Sequence, residues 1–88
     1  MDEYLKFGNG ETVKGKARQN NDILFVYLED ETIDLYKAFA LLSVQTNVAE
    51  IRYHYYKAEL LFEGFTRITS LSDDGTRITA VLKKDGAK

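Results

Sequence analysis

Residues 60–82 read LLFEGFTRITSLSDDGTRITAVL, and this segment carries the clearest structural signal of the chain. Two runs rich in Thr, Ile, Val and Phe flank a short polar cluster. Its Asp-Gly step supplies the positive φ that a tight turn requires, so the segment predicts a β-hairpin. The apolar residues of the first run lose their alternation near Gly64, which predicts a β-bulge between Gly64 and Arg67.

Three strands are predicted upstream of a helix. Asn9-Gly10 separates residues 4–7 from residues 11–18 and predicts another tight hairpin. Residues 23–28 form a continuous run of apolar, β-branched and aromatic residues, which is typical of a strand at the centre of a sheet.

Residues 33–43 predict a helix that covers this central strand. Leu35, Ala38, Phe39 and Leu42 recur at helical spacing and should form its buried face, and Thr32 is a candidate N-cap residue. We expect the acidic residues that precede the helix to stabilise the positive end of its dipole.

Two strands carry the polar residues that bear on function. Lys14, Lys16 and Arg18 alternate with small or apolar residues, and we interpret them as the outward cations of a solvated or edge strand in preference to a phosphate-binding stripe. Residues 48–57 alternate cleanly and place Arg52, His54 and Tyr56 on one outward face. Since that second edge lacks such a guard, Arg52, His54 and Tyr56 are the predicted interface residues.

The whole chain, residues 1–88, is predicted to be a single α+β domain. We expect an antiparallel sheet, or two small sheets or a half-barrel, of about six strands in the order βββ-α-βββ, with one helix packed on the sheet. The chain is 44% apolar and 30% charged and has no cysteine. Its apolar runs are too short to cross a bilayer, and it begins without a signal-peptide pattern, so a cytoplasmic product and no membrane partner are expected.

The residue inventory argues against an enzyme. A single histidine and no cysteine exclude Cys-His pairs and multi-histidine zinc sites. The glycines form neither a P-loop nor a dinucleotide-binding motif, and Asp73-Asp74 is interpreted as a turn and not as a metal site. We therefore assign no catalytic, metal-binding or cofactor-binding residues. The net charge of −2 does not favour a nucleic-acid partner.

The element order also resembles a known group of proteins. The step Glu63-Gly64-Phe65-Thr66, followed by a hairpin that ends in Leu82-Lys83-Lys84, is similar to small uncharacterised proteins of bacteriophage and prophage tail modules of Gram-positive bacteria. The resemblance spans nearly the whole chain and implies a virion-associated tail or baseplate component, with no catalytic residues to transfer.

Two classes of function follow. The first is a non-enzymatic structural protein that acts through contacts with tail proteins or with further copies of itself. The alternative is a small module that binds a ligand, a peptide or nucleic acid through an aromatic strand face. Its aromatic residues are Tyr53, Tyr55 and Tyr56, with Phe62 and Phe65 close in sequence.

Overall fold

The computed structural model describes residues 2–43, 47–53 and 58–84, and it describes the side chains of residues 3–43 and 61–84. These residues form an antiparallel sheet and one helix, so the predicted α+β class is confirmed. The elements are β1 (Asp2–Phe7), β2 (Thr12–Asn20), β3 (Ile23–Leu28), α1 (Leu35–Ser43), β4 (Asn47–Tyr53), β5 (Ala58–Glu63), β6 (Phe65–Asp73) and β7 (Ile78–Lys84). The sheet has one strand more than predicted, because the chain breaks at Gly64 into β5 and β6.

The sheet follows the strand order β5-β4-β1-β2-β3-β7-β6. Strand β2 pairs with β1 through residues 12–14 and with β3 through residues 15–20, so it contributes to two half-sheets. We call β5, β4, β1 and the start of β2 the first half-sheet. The rest of β2, with β3, β7 and β6, is the second half-sheet. The chain crosses between them within β2 at Gly15.

A second crossing lies at Gly64. Strands β5 and β6 are the two edges of the sheet, yet only Gly64 separates them in the chain. Strand β5 pairs with β4 in the first half-sheet, and β6 pairs with β7 in the second. The sheet therefore curls round until its two edges meet at this residue.

The predicted bulge is confirmed in β6. Its register with β7 shifts between Phe65 and Arg67, and it shifts again between Ile68 and Ser70. These two irregularities explain why the apolar residues of this segment do not follow a simple alternation.

Both half-sheets supply one core. Alternate residues of β3 are fully buried, namely Leu24, Val26 and Leu28, while the residues between them are half-buried. The remaining buried apolar side chains among the described residues are Leu5, Phe7, Val13, Ala17, Ala38, Leu41, Leu42, Phe62, Phe65, Ile78, Ala80 and Leu82. Strand β3 lies between β2 and β7, as its apolar sequence predicted.

The hairpin between β6 and β7 is confirmed. Gly75 has a φ of 93°, and Asp74 Oδ1 accepts hydrogen bonds from the backbone N–H of Thr76 at 2.9 Å and of Arg77 at 3.0 Å. The Asp73-Asp74 pair therefore belongs to a turn, as interpreted from the sequence.

The buried face of α1 differs from the predicted one. Ala38, Leu41 and Leu42 are buried, whereas Leu35 and Phe39 are exposed. The helix packs mainly against β6 and not over β3. Its sequence is apolar on more than one side, so the helical spacing of residues could not indicate which side faces the core.

The predicted sheet edges were also wrong. Strand β2 is flanked by β1 and β3, and β4 is flanked by β1 and β5. Lys14, Lys16 and Arg18 therefore do not guard an edge, although Lys14 and Arg18 are exposed to solvent. The strand that carries Arg52 is not an edge strand either, because β4 pairs with β1 on one side and with β5 on the other.

Candidate protein-binding surface on the helix

The predicted interface lies largely outside the described residues. Arg52 belongs to β4, where its backbone faces Glu3 of β1 and Ala58 of β5. His54 and Tyr56 fall outside the described ranges, so an interface formed by Arg52, His54 and Tyr56 stays a prediction.

The described residues contain a different apolar surface, on the solvent side of α1. Tyr36 is 88% exposed, Phe39 is 55% exposed and Leu35 is 40% exposed. Leu35 and Phe39 are four residues apart, as are Tyr36 and the exposed Ala40, so these side chains are neighbours on one side of the helix. We call these four residues the outer helix face.

The sequence around Asp34 explains why the helix begins at Leu35. Asp34 Oδ1 accepts a hydrogen bond from the backbone N–H of Lys37 at 2.8 Å, which makes Asp34 the N-cap residue in place of Thr32. Asp30 instead accepts hydrogen bonds from the backbone N–H and the hydroxyl of Thr32 in the preceding turn. These hydrogen bonds lower the pKa of Asp30 below its usual value, the one from the Thr32 hydroxyl contributing most.

An ion pair ties the helix to the β1–β2 turn. Lys37 Nζ lies 2.8 Å from Glu11 Oε2, and this hydrogen bond lowers the pKa of Glu11. Asn9 Oδ1 accepts a hydrogen bond from the backbone N–H of Glu11, so the carboxylate sits on an ordered turn. Lys37 is the only charged residue of α1, and its charge is thus balanced within the chain.

The outer helix face is large for a domain of this size. Buried Phe and Tyr side chains contribute about 150 to 250 Å² each, so the exposed parts of Tyr36, Phe39 and Leu35 amount to roughly 300 Å². A patch of that order is typical of the largest apolar patch on a monomer and often marks a binding surface. Its chemistry suits contact with another protein, because it is apolar apart from the Tyr36 hydroxyl.

A cleft at the end of the second half-sheet offers a polar alternative. It encloses about 180 Å³ and is lined by acidic and polar side chains that include Asp30, Glu31, Asp73 and Arg77. Neighbouring Asp74 has its pKa lowered to about 2, chiefly because the backbone N–H of Thr76 donates to its carboxylate. The hydrogen bonds of Asp30 and Asp74 go to their own turns, so these carboxylates are occupied with local structure.

The described ranges hold no group of three or more His, Cys, Asp or Glu side chains arranged to bind a metal ion. No helix in the same part of the chain is long and apolar enough to cross a membrane.

Comparisons with protein-family models, with curated proteins and with solved structures find no match to this chain.

Sequence reasoning assigned Leu35 and Phe39 to the core and so missed the outer helix face. A usable signal was present in α1, where Lys37 and Ser43 are the only residues that are neither apolar nor aromatic. A helix that is apolar all round is normally covered on all sides. A single small domain buries one side of a surface helix, so the excess of apolar residues points to a second contact.

Proposed function

We propose that this protein is a non-enzymatic structural component that acts through protein–protein contacts, and that the outer helix face is its contact surface. The exposure of Tyr36 and Phe39 on one side of a capped helix carries this proposal. Tyr is among the residues most enriched at binding hot spots.

The occupant that fits this surface best is a second copy of the chain. The outer helix face contains no charged side chain, and the nearby Lys37 is paired with Glu11 of its own chain. A surface without unpaired charge requires no complementary charge on its partner, so it matches itself across a twofold axis. Two antiparallel helices would also bring opposite ends of their dipoles together.

The size of the patch sets the expected strength. A stable interface buries about 800 Å² on each partner, and the outer helix face supplies the apolar centre of such an area. The polar residues around it would form the rim, which excludes water and adds little affinity.

Sedimentation velocity over a concentration series tests the self-association. We expect a dimer, and we expect Tyr36→Ala to weaken it by about 30-fold or more, as for a central hot-spot residue. Leu61→Ala is the control, since Leu61 is an exposed apolar residue (57%, close to the 55% of Phe39) that lies on β5 and outside the outer helix face. A wild-type chain that stays monomeric at high concentration contradicts the proposal.

From the sequence resemblance alone, we propose that this contact forms in a phage or prophage tail or baseplate. Immunoblots of phage particles purified after induction of a host that carries the gene should detect the protein. Particles that lack it would remove the tail assignment and leave the helix contact standing.

A further inference from the structure

The outward side of the second half-sheet gathers basic and aromatic residues that are far apart in the sequence. Three rows cross β2, β3, β7 and β6 at positions whose side chains share this side. The rows are Lys16-Tyr27-Thr79-Ser72, Arg18-Phe25-Val81-Ser70 and Asn20-Ile23-Lys83-Arg67. We call this surface the basic sheet face.

The charges of this face are of one sign. Four of its positions are Lys or Arg and none is Asp or Glu, although the chain has 14 acidic residues against 12 basic ones. Lys83, Arg67 and Arg18 are exposed, and Lys16 is half-buried. The net charge of −2 therefore conceals a local positive surface, which is what an anionic ligand would meet first.

Two of the described carboxylates lie near the ends of this face. Glu29 follows β3, and its Oε2 lies 3.6 Å from Arg77 Nη1, so a neighbouring cation offsets its charge. Asp22 lies in the turn between β2 and β3 at the opposite end. The three rows themselves consist of cationic, uncharged polar, apolar and aromatic residues.

Aromatic rings lie beside the cations. Phe25 and Tyr27 are half-buried on the central strand and face Arg18 and Lys16 of β2. On the β7 side Lys83 lies one row away from Phe25. The guanidinium of Arg77 lies over the Tyr27 ring, 4.6 Å from its centroid, and adds a flat, positively charged group to this part of the face. Flat groups that bases can stack upon, flanked by cations that contact phosphates, form the usual surface for single-stranded nucleic acid.

We propose that the basic sheet face binds single-stranded nucleic acid. The phosphates contact Lys16, Lys83 and Arg67, and a base stacks on Phe25. An acidic peptide would also satisfy the cations, but it would not use the ring of Phe25. The side-chain rows repeat about every 6.7 Å along the strands, so an extended strand of a few nucleotides covers the face. This binding is separate from the helix contact, because it uses the sheet and not α1.

Fluorescence anisotropy with a labelled oligothymidine of about 15 nucleotides tests the proposal at low salt. We expect Lys83→Ala to weaken binding and to reduce the slope of log affinity against log salt by about 0.7, the value for one phosphate contact on a single strand. Lys6→Ala is the matched control, because Lys6 is an exposed lysine of β1 and lies outside the basic sheet face.

A second variant isolates the aromatic contribution. Phe25→Leu keeps an apolar side chain at this half-buried position, so the fold should persist, and thermal unfolding checks this. We expect its affinity for the oligonucleotide to fall about 10-fold, as loss of one stacked base implies. Its affinity for polyglutamate should not change.

Three outcomes would overturn the proposal. The wild-type protein could fail to bind the oligonucleotide at low salt. Lys83→Ala and Lys6→Ala could reduce binding equally, which would indicate a diffuse charge effect. Phe25→Leu could leave oligonucleotide binding unchanged in a folded protein, which would indicate that the face binds anionic chains in general, an acidic peptide included.

Discussion

The chain crosses between the two half-sheets at Gly15 and at Gly64, and glycine is required at the two crossings for different reasons. A Cβ on Gly15 would lie far inside van der Waals contact with the backbone oxygen of Tyr27. A Cβ on Gly64 would meet only the side chain of Lys84, at 3.6 Å, but Gly64 has a φ of 84°. At Gly15 a side chain is excluded by lack of space, whereas at Gly64 a side chain is disfavoured by the positive φ of the backbone.

Glycine thus lets the chain pass from one half-sheet to the other at both positions, but for a different physical reason at each. At Gly15 the obstacle is the backbone of β3 in the middle of the sheet, so truncation of a side chain cannot remove it. At Gly64 the obstacle is the cost of a left-handed conformation, which stays local and depends on the residue that replaces glycine.

The largest effect is expected at the first crossing. Gly15→Ala must push β2 away from β3, and we expect it to lower the free energy of unfolding by about 3 kcal/mol or more, at the upper end of overpacking effects. Urea denaturation followed by far-UV circular dichroism measures this. A loss below about 1 kcal/mol, typical of an ordinary substitution, would show that the two strands separate easily.

A smaller effect is expected at the second crossing. Gly64→Ala has room for its methyl group, so its cost is the positive φ alone, about 1 to 2 kcal/mol. Gly64→Asn should cost less than Gly64→Ala, because Asn tolerates this conformation, whereas at Gly15 the larger Asn should cost more than Ala. The same order of Ala and Asn at the two sites would contradict the distinction.

The smallest effect concerns Lys84, the residue nearest to Gly64. Lys84 Nζ lies 5.5 Å from the centroid of the Phe65 ring, and Lys84→Ala alone should cost less than about 1 kcal/mol. In a double-mutant cycle we expect the costs of Gly64→Ala and Lys84→Ala to add within about 0.5 kcal/mol. If Lys84→Ala instead rescued Gly64→Ala, the second crossing would also be limited by space.

The sequence predicted those parts of the fold that depend on nearby residues. Asp74-Gly75 indicated the β6–β7 turn, and the loss of alternation near Gly64 indicated the irregularity of β6. The order of the strands could not be read in this way, because it depends on the pairing of β1 with β4 and of β3 with β7, across long stretches of chain. The assignment of β2 and β4 as edges failed for that reason.

The candidate surfaces also depend on long-range packing, which the sequence does not reveal. Phe39 belongs to the outer helix face and Leu42 to the core, yet both fit a helical apolar stripe. Only the packing of α1 on β6 distinguishes them. The complete basic sheet face was harder still to predict from the sequence, because Lys16, Phe25 and Lys83 come together only through the register of three strands.

The position of β7 determines how much of the sheet can fold while the chain is still being translated. Residues 78–84 form the last strand of the sheet in sequence, yet β7 is an interior strand that pairs with β3 on one side and β6 on the other. Until a ribosome has added these residues, β3 lacks its partner on the side away from β2, and the buried residues of β7 are missing from the core. Pairing between strands so distant in sequence is slow, and its late arrival exposes the nascent chain to aggregation. Folding during synthesis can therefore produce the first hairpins, but the closed core forms only after β7 has been translated.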